Sequence, residues 1–88
     1  MLSLPATLTH EQAKGCVQQL TQALRTETAQ VVVDAAKLRH FDSSALAVLL
    51  ELRRECARAG KRFVVQGLPS RLLDLAKLYG ISGLLPSA

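Results

Sequence analysis

Three consecutive residues, Asp42-Ser43-Ser44, are the side chains of this chain best placed to do chemistry. A carboxylate and two hydroxyls stand directly before the apolar run Ala45 to Leu50, which reads as a helix opening with Asp42 as its N-cap. The first backbone N–H groups of a helix have no intrahelical partner, and the positive end of the helix dipole favours an anion there. A phosphate on Ser43 would accept those N–H bonds and add nearly two negative charges. Ser43 is therefore a candidate phosphorylation switch, or a contact residue at an exposed helix end. These residue types are also the commonest N-caps, so a plain capping role fits the same local pattern.

Catalytic chemistry fits less well. His40, Asp42 and Ser43 are the residue types of a hydrolytic triad, but such close neighbours would have to converge through one short turn. There is no Gly-x-Ser-x-Gly elbow, no Walker-type glycine-lysine loop, no GxGxxG and no evident pair of carboxylates. His10 and His40 stand far apart, without a second ligand at zinc-like spacing. Cys16 and Cys56 lack CxxC spacing and fall on apolar stripes, which predicts small buried thiols in a reducing compartment. We expect no catalytic residue, no metal and no cofactor.

The elements that hold the Asp-Ser-Ser turn can be read on either side of it. Thr9 followed by Gln12 is a capping-box pattern. After it, Ala13, Cys16, Val17, Leu20, Ala23 and Leu24 make one apolar helical face from about His10 to Arg25. Val31-Val32-Val33 is a continuous β-branched run, which suggests a strand covered on both faces. Ala35 to Phe41 reads as a polar connection in which Leu38 and Phe41 can tuck inward. The helix after Asp42 runs along Leu46, Leu49, Leu50, Arg53 and Ala57, widened by Ala45, Val48, Leu52 and Cys56, and ends at Gly60. Phe63 to Gln66 is a second strand. Pro69 and Ser70 open a third helix with Leu72, Leu73, Ala76 and Leu78 facing inward, and Ile81 to Pro86 form a short apolar tail. Leu2-Ser3-Leu4 before Pro5 allows only a short edge strand. Strands alternating with helices predict an α/β layer with right-handed crossovers.

Composition narrows the function classes. The 88 residues fit one domain, and 49% hydrophobic residues argue against disorder. Aromatics are only 3%, so the core must be built from Leu, Val and Ala. Ala45 to Leu50 is the longest apolar run, far short of the roughly 20 residues of a membrane span. Met1 to Pro5 lacks the basic start and long apolar stretch of a signal peptide, so a cytoplasmic domain is expected. The net charge of +4 invites a nucleic-acid reading. Arg53, Arg54, Arg58, Lys61 and Arg62 cluster in one window, but Glu51 and Glu55 sit at pairing distance on the same helix and no aromatic is interleaved to stack bases. That window predicts a solvated basic helix end, with a partner of acidic surface or an anionic membrane as the alternatives and no nucleic acid.

The run Val31 to Asp34, followed by Asp42-Ser43-Ser44-Ala45-Leu46-Ala47-Val48-Leu49-Leu50, resembles the core motif of STAS domains, the family of anti-sigma factor antagonists. Gly67-Leu68-Pro69, Leu75-Ala76-Lys77-Leu78-Tyr79-Gly80-Ile81 and Leu84-Leu85-Pro86 are closer to one branch. That branch comprises the small MlaB-type STAS subunits of the Mla phospholipid-transport ABC transporters of Gram-negative bacteria. The resemblance implies a small mixed β-sheet of about three or four strands, with helices mainly on one face. It also implies a non-enzymatic subunit that binds and regulates the cytoplasmic ATPase of a transporter maintaining outer-membrane lipid asymmetry. On this resemblance Asp42, Ser43, Ser44 and Ala45 would line the partner interface, and the protein would meet the membrane only through its partner. In regulatory relatives the Ser after the Asp is phosphorylated by a partner serine kinase, and Ser43 holds that position. The alternative is thus a phosphorylation-switched anti-sigma factor antagonist. Ala45 stands where those antagonists usually carry Gly. The N-terminus looks short of the usual first strand, which predicts an exposed sheet edge open to a partner or to a homodimer.

Overall fold

The β-branched run is the middle of a strand, as its residues demand. The computed structural model describes residues 1–87. In chain order the elements are β1 (Leu2–Ser3), β2 (Thr7–Leu8), α1 (His10–Leu24), β3 (Gln30–Asp34), β4 (His40–Phe41), α2 (Ser44–Arg58), β5 (Arg62–Gln66) and α3 (Ser70–Leu78), then a 3₁₀ turn at Ser82–Leu84. One sheet has the order β1-β3-β5, and β2 pairs separately with β4. Every one of these pairings is parallel.

Register explains the core. Leu2 pairs with Val33, and Val33 with Val65, so three buried apolar side chains form one row across the sheet. Val31 and Phe63 form a second buried row on the same face. Val32 and Val64, paired on the opposite face, are only half-buried. The continuous Val run therefore does not mark two fully covered faces. The helices α1 and α2 lie against each other, α1 touching β1 and α2 touching β5. They contribute Cys16, Leu20 and Leu24 from α1, and Ala45, Leu46, Val48, Leu49, Leu52 and Cys56 from α2.

Four details depart from the sequence reading. Arg53 and Ala57, assigned to the apolar face of α2, are exposed. The buried stripe runs through Ala45, Leu49, Leu52 and Cys56, and at about 100° per residue the next positions rotate away from it. Leu78 is 77% exposed for the same reason, since it stands two residues past buried Ala76. The connection Ala35 to Phe41 contains β4, whose start is fastened by the Arg39 and His40 N–H groups donating to Ala6 O at 2.8 and 2.9 Å. Finally, two short strands precede α1, and they pair with β3 and β4 rather than with each other.

Both ends of the layer are tied down. Gly60, at φ 69°, ends α2 in the left-handed region, and the Lys61 N–H returns to Cys56 O at 2.8 Å. Lys61 Nζ then donates to Leu24 O and Glu27 O, both at 2.7 Å, closing the carbonyl end of α1 from the start of β5. Beyond the 3₁₀ turn, Leu85 is buried and the Val65 N–H donates to Pro86 O at 2.8 Å. The tail so adds a parallel bridge, Val65 to Ser87, on the side of β5 away from β3.

Candidate functional site

The turn at Asp42 is built by its own backbone. The Ala45 N–H donates to Asp42 O at 3.1 Å and the Leu46 N–H to Ser43 O at 3.0 Å, so the first helical bonds already start here. Regular helix geometry begins at Ser44, and Ser43 already has helical dihedrals of −62° and −15°. The side chain that caps the helix is that of Asp42, whose Oδ1 accepts the Ser44 N–H at 2.8 Å. Its other oxygen, Oδ2, accepts the His10 N–H at 3.2 Å, from the first residue of α1.

One carboxylate thus holds the starts of two helices. This lowers the Asp42 pKa, chiefly through the Ser44 N–H, against an opposing influence of desolvation, with the His10 N–H adding a smaller lowering. On the α1 side, Gln12 Oε1 accepts both the Thr9 N–H at 2.9 Å and the Thr9 hydroxyl at 2.7 Å, so the capping pair also fixes this corner. On the α3 side, the Arg71 guanidinium lies over the Phe41 ring at 5.0 Å from its centre. All three helices therefore begin around one end of the sheet, the carboxyl end of its parallel strands, where α/β layers commonly meet ligands and partners.

Of the four residues expected at the interface, Asp42 and Ser43 are exposed and Ser44 is half-buried. Ala45 is not at the surface: it is fully buried, because it is the first residue of α2's inward stripe. The Ser43 hydroxyl makes no hydrogen bond among the described residues, and neither does it reach the His40 imidazole. On the same face of α2, Ser43 is followed by exposed Ala47, half-buried Leu50 and exposed Arg54, which pairs with Glu51 at 3.2 Å. Spaced by three and four residues, they make a narrow surface strip with a small apolar middle and charged far end.

Sequence reading missed Arg71 and the His10 amide as parts of this corner. Neither carries a local signal, since an arginine in a first helical turn and a backbone N–H are found in any helix. Cys16 and Cys56 are free and buried, and burial pushes both thiols up in pKa. Among the described residues no group of three or more His, Cys, Asp and Glu converges, and no helix is long and apolar enough to cross a membrane.

A family model described as the MlaB STAS domain matches residues 1–86. The chain belongs to the MlaB STAS-domain family. It is also 40% identical over 45 residues to the intermembrane phospholipid transport system binding protein MlaB of Haemophilus influenzae. That match takes in 51% of this chain and 43% of the relative, so less than half of the relative's length is represented.

Proposed function

We propose that this protein is a non-enzymatic STAS subunit that binds and regulates the cytoplasmic ATPase of a phospholipid-transport ABC complex of the Mla type. The observation that carries the reading is the exposed, unbonded Ser43 hydroxyl at a helix start made rigid by Asp42. A rigid start means that docking would cost little ordering entropy, and the strip Ser43, Ala47 and Leu50 offers a small apolar contact with a polar rim. The family membership and the transport-system name of the Haemophilus relative support the same role. In this reading the protein is cytoplasmic, peripheral to the inner membrane through its partner, and binds neither lipid nor nucleic acid.

A second reading is favoured by the same free hydroxyl. Unmodified Ser43 would permit binding to a serine kinase of an anti-sigma cascade, and phosphate would block it by charge and bulk. Affinity capture from native extract, with mass spectrometry of partners and of Ser43, separates the two. Recovery of an ABC ATPase with unmodified Ser43 is expected. Recovery of a GHKL-type serine kinase together with phosphate on Ser43 would sink the transporter reading.

A further inference from the structure

We infer that the outer edge of β5, with the end of α2 beside it, is a second docking surface that takes an extended acidic segment of a partner protein. It lies well away from Ser43: Arg53 follows ten residues on, about 15 Å along the helix axis.

A groove of about 400 Å³ runs here, lined by apolar Ala57, Val64 and Pro86 and by the cations Arg53, Lys61 and Arg62. No Asp or Glu side chain is among the described residues that line it. The three cations are not equivalent. Lys61 is committed to the carbonyls of Leu24 and Glu27. Arg54 and Arg58, one turn away, are paired with Glu51 and Glu55. Arg53 and Arg62 are exposed, and among the described residues neither side chain has a hydrogen bond or ion pair. Two guanidinium groups unneutralised among the described residues, beside apolar Ala57, Val64 and Pro86, suit carboxylates carried on a chain with apolar side groups.

The backbone beside the groove requires that chain to be extended. The Arg62 N–H donates to Ala29 O on the β3 side, and the Val65 N–H donates to Pro86 O on the opposite side. Peptide groups of a strand alternate in direction, so Phe63 points the same way as Val65, away from β3. Its N–H and C=O find no backbone partner among the described residues, because the tail covers the edge only from Val65 onward. An open strand edge is completed by another strand. A second copy of this chain is a poor occupant, since among the described residues the only acidic one in its strands is Asp34, which already pairs within the sheet. A flat anionic membrane would reach the exposed arginines but would not complete the strand edge at the Phe63 amide.

The test is a titration of the isotope-labelled full chain, followed by amide NMR, with a short synthetic peptide of alternating Val and Glu. Val/Gln and Val/Lys peptides serve as controls. We expect the acidic peptide to shift the Phe63 and Val64 amides and to slow hydrogen exchange at Phe63. The Val/Gln peptide should bind about tenfold more weakly, and the double variant R53E/R62E should lose about the same factor. Both arginines are exposed, so the variant should keep its fold, which its own spectrum reports. Equal binding of the three peptides, or acidic binding without a response at Phe63, would overturn the proposal. So would capture by phosphatidylcholine vesicles containing phosphatidylglycerol in the absence of peptide binding. The same amides shifting with protein concentration alone would assign the edge to self-association and overturn it equally.

Discussion

The carboxylate of Asp42 accepts the backbone N–H of His10 at 3.2 Å, across 32 residues of chain. Because its other oxygen caps Ser44 at 2.8 Å, the first turns of α1 and α2 are fixed to each other. The exposed Ser43 stands beside that junction, so its position depends on a contact that no local rule of helix capping supplies.

Removing the junction should therefore loosen both helix starts. Asp42→Ala is expected to lower Tm and to speed hydrogen exchange at the His10 and Ser44 amides, while Asp42→Asn, which keeps one acceptor oxygen, is expected to do less. The sign of the pH dependence follows from the lowered pKa. The charged carboxylate contributes stability that is fully present above its ordinary value of 3.8 and is lost as pH falls through the depressed folded value. The stability gap between wild type and Asp42→Asn, measured by urea denaturation, should shrink on acidification below that value. A gap unchanged in acid would show that charge is not what the site uses.

Lys61 carries a structural duty of comparable reach. Lys61→Met keeps the apolar stem but leaves the Glu27 carbonyl without its ammonium donor, while the Leu24 carbonyl keeps only the Glu27 N–H at 3.1 Å. The expected cost is about 1–3 kcal/mol, seen as a drop in Tm by calorimetry. Retention of wild-type stability would mean that water replaces the ammonium without loss.

The two faces of the helices can be told apart by truncation. Leu49 is 0% exposed, and Leu49→Ala should cost about 2–5 kcal/mol, a large share of a small domain's stability. Leu78, at 77% exposure, should change stability by less than about 0.5 kcal/mol on Leu78→Ala. Chemical denaturation of the pair measures both, and similar losses would contradict the orientation of α3.

Two glycines share a left-handed backbone but not the same surroundings. At Gly60 an added Cβ meets nothing within 4 Å, so Gly60→Ala should cost only the conformational term of about 1–2 kcal/mol. At Gly67, φ +70°, the same atom would lie 3.1 Å from the Ala36 backbone N, with the Asp34 carboxylate equally near. Gly67→Ala should therefore be the more damaging, as comparison of their urea midpoints will show.

Much of the architecture was legible because it is local. The four-residue spacing of Cys16, Leu20 and Leu24, the Val31–Val33 run and the stop at Gly60 each express a preference that a short segment carries alone. The errors fall where periodicity is extended past its support. Leu78 and Arg53 look inward only if every apolar or helical position near the stripe is counted, yet a few residues of rotation turn them to solvent. Strands of two residues, such as β2 and β4, carry no period to detect and exist because each finds the other.

For the candidate site the division is the same. The sequence alone determined that Asp42-Ser43-Ser44 opens a helix, that Ser43 follows its cap, and that the cations gather near the helix's far end. Only the tertiary structure decided that Ala45 is buried, that Asp42 also holds His10, and that Arg53 and Arg62 are without a partner among the described residues beside an open stretch of β5. Helix capping is settled by neighbours within a few residues. Burial, ion pairing and strand completion depend on which distant segment arrives alongside, and that is decided by the packing of the whole layer.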